Sequence, residues 1–149
     1  MLHKAERILQ AVYVLCLDQP TTGGNVYRSL VYGHDTENLP ALNLTMGADT
    51  PAETEQQNIA LTDYILRVNC DAVCQKLQYS AVETTLNEIR AEITTALLTD
   101  RKIGLDFVID VIEVGAEEPQ LTGEGEKPLA LQRFSFDVKY RRAVHDPRL

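Results

Sequence analysis

The sequence predicts an α+β fold: a mixed or antiparallel sheet of about four to five strands with two main helices packed on one face. Three observations carry that prediction. In residues 130–142 (ALQRFSFDVKYRR), Phe134, Phe136, Val138 and Tyr140 alternate with Arg133, Ser135, Asp137 and Lys139. Residues 61–73 alternate almost as cleanly, with only Ile65 out of phase. Two further stretches, 2–17 and 80–98, repeat their apolar residues at helical spacing instead. A period of two marks a strand with one buried and one wet face, and a period of 3.6 marks a helix with one apolar stripe. Two amphipathic helices and one half-wet sheet need each other to bury their apolar sides.

The elements follow in order. In residues 2–17 the stripe is Ala5, Ile8, Leu9, Val12, Leu15 and Cys16, with Lys4, Glu6, Arg7 and Gln10 elsewhere. Asp18-Gln19-Pro20 ends this helix, because proline cannot continue it and disfavours helical backbone before it. Thr21-Thr22-Gly23-Gly24-Asn25 is a turn. Residues 26–32 (VYRSLVY) have strand composition, and 33–38 are a polar loop. Leu39-Pro40 opens the next strand, where Leu42, Leu44 and Met46 alternate with Asn43 and Thr45. Residues 47–58, polar with one proline and three acids, are expected as an extended surface loop.

The strand at 61–73 places Tyr64, Leu66, Val68, Cys70 and Ala72 on one face and Asp63, Arg67, Asn69 and Asp71 on the other. Ser80-Ala81-Val82-Glu83 fits a capping box. The helix after it runs to about Leu98, with Val82, Leu86, Ile89, Ile93 and Leu97 as its stripe. Residues 105–114 (LDFVIDVIEV) are apolar on both faces, which predicts an inner strand or one covered by a neighbour. Residues 115–128 hold two prolines, three glycines and four glutamates, so a long acidic hairpin loop or arm is expected. It returns the chain to the strand at 130–142. The order is α-β-β-β-α-β-β within a single domain spanning 1–149, the second and third strands pairing antiparallel and the last two likewise.

Charge and composition exclude more than they assign. A net charge of −8 argues against a general nucleic-acid-gripping surface, which needs surplus Lys and Arg. Cys16, Cys70 and Cys74 are an odd count in a chain long enough to need no staple, and read as reduced thiols of a cytosolic protein. The Cys70-x3-Cys74 spacing has no second ligand pair, so no metal is expected. No signal peptide and no membrane span is visible, since Glu6 and Gln10 break the first apolar run. No phosphate loop is present. His34-Asp35, with Glu37 nearby, is the one imaginable acid–base group, and no nucleophile motif accompanies it. His145-Asp146 has the same weakness, and His3 reads as a surface residue at a helix end. The expectation is no enzyme and no cofactor.

Three stretches together resemble a known family: VYRSLVY followed by ENLPALNLTMG; ALTDYILRVNCDAV leading into SAVETTLNEIRAEI; and FVIDVIEVGAEEPQL followed by LALQRFSFDVKYRRAVHDP, whose strand to Tyr140 is soon followed by Asp146-Pro147. They are similar to the tail terminator (tail-completion, minor tail protein U-like) proteins of long-tailed bacteriophages. The resemblance implies an α+β virion protein assembled in the host cytoplasm. It implies a homo-oligomeric, hexameric ring on the head-proximal end of the tail tube. That ring stops tube growth and presents a joining surface to the head-completion or connector protein, and viral DNA passes through its bore without specific binding. It implies no enzyme activity, no cofactor and no membrane. The alternatives are another neck or head-completion protein, a tail-tube protein, and, from another class, a small enzyme using His34 and Asp35.

No short motif of that family fixes an individual interface residue, so candidates come from this chain's own charges. Arg28, Arg133, Asp137, Lys139, Arg141 and Arg142 are the candidates for contact with a neighbouring subunit or the tube. In the strand at 130–142, charge of both signs on the wet face has no evident fold reason. Glu117, Glu118, Glu124 and Glu126 are candidate bore or loop acids.

Overall fold

The computed structural model describes residues 1–29, 38–52, 60–76, 79–122 and 129–149. The elements are α1 (Lys4–Cys16), β1 (Val26–Arg28), β2 (Ala41–Pro51), β3 (Leu61–Gln75), α2 (Tyr79–Leu98), β4 (Val108–Ala116), β5 (Gln120–Thr122) and β6 (Leu129–Ala143). Among the described residues the strands form a six-stranded sheet in the order β1-β2-β3-β6-β4, with β5 also on β6. Only the β1–β2 pair is parallel. The fold is α+β, as the periodicities predict.

Both helices contribute to one core against one face of the sheet. From α1 come Ile8, Leu9, Val12 and Cys16, and from α2 Leu86, Ile89, Ile93 and Leu97. They meet Leu66, Val68, Cys70, Phe134, Phe136, Val138 and Tyr140, the alternate residues of β3 and β6. Phe134 and Phe136 touch edge to face at 6.0 Å. The helix entries differ in detail. His3 caps α1, its Nδ1 accepting from the Ala5 backbone N–H at 3.0 Å. In α2, Tyr79 is already helical, so Ser80 lies inside the first turn and does not cap it; its carbonyl instead accepts from Thr84 Oγ1.

Three expectations change, the first two because backbone groups find partners in the sheet. Of the extended loop expected at 47–58, residues 47–51 are instead strand, because β2 continues against β3 to Pro51 through a bulge between Met46 and Asp49, and residues 53–58 lie outside the described residues. Gly47 sits where a Cβ would lie 2.9 Å from the Arg67 carbonyl oxygen, so the bulge needs glycine. The acidic hairpin loop or arm expected at 115–128 is shortened at both described ends, since β4 reaches Ala116 and β5 pairs with Leu129–Leu131, and residues 123–128 lie outside the described residues. Finally, β4 is not an inner strand. It ends the strand path, and two bulges, at Val108/Asp110 and Glu113/Gly115, shift its phase. Val108 and Val111 therefore both enter the core, while Ile112 opposes Asp137 on the far side and stays 53% exposed. Among the described residues no element covers its second apolar face.

Candidate functional site

Among the described residues no helix covers the second face of the sheet, and the candidate residues of β6 lie on it or at its ends. The register of β3 and β6 decides what they touch. Asp63 opposes Arg141, Arg67 opposes Asp137, Asn69 opposes Ser135 and Asp71 opposes Arg133. Each opposed pair is bonded. Arg133 donates to both Asp71 oxygens at 2.8 and 3.0 Å. Arg67 donates to Asp137 at 3.0 and 3.2 Å, and Arg141 to Asp63 at 2.8 and 3.2 Å. Ser135 Oγ donates to Asn69 Oδ1 at 2.8 Å. Asp63 and Asp71 are only 7% exposed.

The mixed charge of β6 therefore has a fold reason that its own sequence hides. Directly opposed unlike charges stabilise a strand pair by about 0.2–1 kcal/mol each, less where solvent screens them. Their greater effect is on register. A one-residue slip is already forbidden because it turns the core face outward. A two-residue slip keeps the faces, and the polar ladder then adds to the core packing and to the β4 and β5 pairing in opposing it. Sliding one way would set Arg67 against Lys139 and Asn69 against Asp137, breaking all three ion pairs.

Arg28 is similarly engaged. It lies on β1 and donates to Glu6 of α1 at 2.8 and 3.1 Å, which lowers the Glu6 carboxyl pKa from its ordinary value. Lys139 and Arg142 are in no ion pair among the described residues. Lys139 lies on the open face between Ile65 and Asp110. Arg142 turns to the helix-bearing side, where its guanidinium stands 4.0 Å over the Tyr64 ring and its Nε is buried without a hydrogen-bond partner. Next to Tyr64, the Tyr140 hydroxyl donates to both oxygens of Asp49 at 3.1 and 2.9 Å.

The two ends of the sheet differ in sign. At the end where β6 finishes, Lys4 Nζ donates to the Arg141 carbonyl at 3.0 Å. Lys4 and Arg7 both approach the Phe107 ring, at 4.8 and 4.5 Å from its centre. Lys4, Arg7 and Arg142 gather at this end outside any ion pair among the described residues, with Asp106 near Lys4. At the other end, Glu117 and Glu118 are exposed beside Asp71 and Arg133. These four, with Gln120 and Leu131, line a groove of about 280 Å³. Three carboxylates face one guanidinium there, so the groove is acidic. Glu117 is positioned by its backbone, which donates to the Arg133 carbonyl at 2.7 Å and accepts from Gln132 Nε2 at 2.9 Å.

Among the described residues the remaining candidates bring no chemistry together. His34, Asp35, Glu37, Glu124 and Glu126 lie outside the described residues. Asp146 accepts from the Arg148 side chain and backbone, which holds its carboxyl at about 2 and leaves it ionised in a turn of its own. Cys16, Cys70 and Cys74 are free and buried. Burial pushes the Cys16 thiol up to about 12 and the Cys70 thiol well above its usual value, so both stay protonated at neutral pH. Among the described residues no group of three or more His, Cys, Asp and Glu could hold a metal ion, and no helix is long and apolar enough to cross a membrane. The basic end was not among the sequence candidates beyond Arg141 and Arg142. Phe107 is far from Lys4 and Arg7 in the chain and meets them only through the fold.

The class of fold is thus a mixed sheet with two helices on one face and a polar, register-setting ladder on the other. No protein-family model matches the chain, and no curated protein does. Among solved structures the chain is similar to a chain of the virion of a native gene transfer agent particle. The match has a TM-score of 0.59 at 11% identity and covers 91% of this chain and 95% of that one. At that identity the likeness is one of fold.

Proposed function

We propose that this chain is a structural virion protein that caps the head-proximal end of a phage tail tube as a hexameric ring. In this reading it ends tube polymerisation, joins the tail to the head-completion or connector protein, and lets DNA pass through its bore. The observation that carries the reading is the end-to-end fold likeness to a virion component. The sequence resemblance to tail terminators points the same way and supplies the place in the particle. The charge distribution suits a conduit: a net charge of −8 repels phosphate, and most described arginines are already bound to carboxylates. The protein acts by contact, with no catalysis and no cofactor. Arg28, Arg133, Asp137, Lys139 and Arg141 belong to the surface offered to neighbours, with the ion-paired members reaching outward through their exposed edges.

The test is to make particles without this protein. Tails should lose length control and fail to join heads, and adding purified protein should restore both. Tails of normal length that join heads normally refute the proposal. Electron microscopy of the purified protein with tail tubes separates it from its relatives in role: one ring at a tube end supports a terminator, whereas long filaments of the protein alone indicate a tube subunit.

A further inference from the structure

Among the described residues the two ends of β6 carry opposite charges that no ion pair within the chain engages. Lys4, Arg7 and Arg142 make no ion pair among the described residues, although seven other bases do. Two of the three are held in place by aromatic rings, Arg7 on Phe107 and Arg142 on Tyr64, and stay outside any ion pair among the described residues. The Arg142 Nε is in addition a buried donor with no acceptor. Such a donor is costly unless something brings it an acceptor or rearranges it. At the far end, Glu117 and Glu118 flank a polar groove whose one arginine is already held by Asp71.

These ends cannot satisfy each other within one molecule. Arg133 and Arg142 are nine residues apart on one continuous strand, a span of roughly 30 Å at about 3.3 Å per residue. We propose that the basic end of one copy, Lys4, Arg7 and Arg142, docks on the acidic groove of the next copy, at Glu117 and Glu118. The contact is heterologous, one end meeting the other, and so builds a ring when the rotation between copies closes. It deepens the proposed ring reading by naming its interface, and it rests on that reading only for the closure. A guanidinium is suited to this contact because it bonds a carboxylate through two parallel N–H groups while its face stays on the ring beneath it.

The experiment is a charge exchange read by analytical ultracentrifugation. Glu117→Lys/Glu118→Lys makes both ends basic, and Arg7→Glu/Arg142→Glu makes both ends acidic. Wild-type protein should self-associate at low salt, with affinity falling roughly tenfold or more at high salt. Each double variant alone should associate at least about a hundredfold more weakly. Mixed in equal amounts, they should form a one-to-one complex, because the exchanged ends now match. Arg7→Glu alone guards against misfolding of the Arg142 variant, and circular dichroism checks each fold. A wild-type chain that stays monomeric up to about 1 mM, variants that associate like wild type, or a mixture no larger than its parts would overturn the interface. Failure of the tail assay with a working charge exchange would instead remove the tail reading and leave the docking intact.

Discussion

Replacing Phe136 with Ala tests the phase of β6, on which both faces of the sheet depend. Phe136 is fully buried in the middle of the strand, opposite Val68 on β3 and Glu113 on β4. Its ring meets Phe134 edge to face at 6.0 Å, a contact contributing about 0.5–1.5 kcal/mol beyond area burial. Strands on both sides hold the backbone, so the cavity has little freedom to collapse. The expected loss is about 3–5 kcal/mol. Against a typical total of about 5–15 kcal/mol, that is a large share of the stability. For a chain of this length it lowers the melting temperature by roughly 6–20 °C. Urea titration followed by circular dichroism measures it, with Ser135→Ala as the control on the opposite face. Ser135 gives up one hydrogen bond to Asn69, about 0.5–1.5 kcal/mol. A Phe136→Ala protein within about 1 kcal/mol of wild type, or one more stable than Ser135→Ala, would show that the strand phase is wrong.

Three other outcomes are expected. Tyr140→Phe should cost about 1.5–3 kcal/mol, because a buried hydroxyl loses a charged acceptor, Asp49. Burial first, and then Asp49, raise the Tyr140 pKa above its ordinary value, so the folded state holds this proton longer than the unfolded chain does. That stability is complete below the unfolded pKa of about 10 and is lost as pH rises beyond it; urea midpoints of wild type should fall there more steeply than those of Tyr140→Phe. A double-mutant cycle on Arg133→Ala and Asp71→Ala should give a coupling of about 0.2–1 kcal/mol that shrinks in high salt, and zero coupling would remove the ladder as a stabilising device. All three thiols should react with a disulfide reagent only as fast as the protein opens, and at once in denaturant; fast labelling of native protein would place a cysteine outside the core.

The sequence shows the helices almost residue by residue, because their stripes need no partner to be read. Val82, Leu86, Ile89, Ile93 and Leu97 form the predicted face of α2, and all are buried. The phase of β3 and β6 is equally plain. What stays hidden is pairing. Asp71 and Arg133 each read as a wet-face charge, and only the register makes them partners. That signal is present in principle: writing one strand backwards beside the other sets the unlike charges opposite each other. The bulges of β2 and β4 leave no comparable mark beyond Gly47 and Gly115, so simple alternation counted from Val108 puts Val111 and Ile112 on the wrong sides. The strand β5 is missed because Gly, Pro and Glu dominate its surroundings, while three residues with free backbone groups suffice to extend the hairpin. The basic end depends on α1 lying over the start of β4, a tertiary fact with no local pattern.

The position of β6 has a consequence for how copies become available. This strand is bonded along both edges, to β3 on one side and to β4 and β5 on the other, and all of these precede it in the chain. During synthesis β3 must therefore wait with a long open edge, and its Asp63, Arg67 and Asp71 act as gatekeepers against premature pairing with other chains. Insertion of β6 closes contacts of long sequence separation, the slow kind of folding step. The same strand carries Arg142 at one tip and Arg133 beside the acidic groove at the other. A copy in which it has not yet inserted offers neither end. Maturation of the monomer and licence to join its neighbours would then be a single event, and half-folded chains would be turned away without any separate inspection.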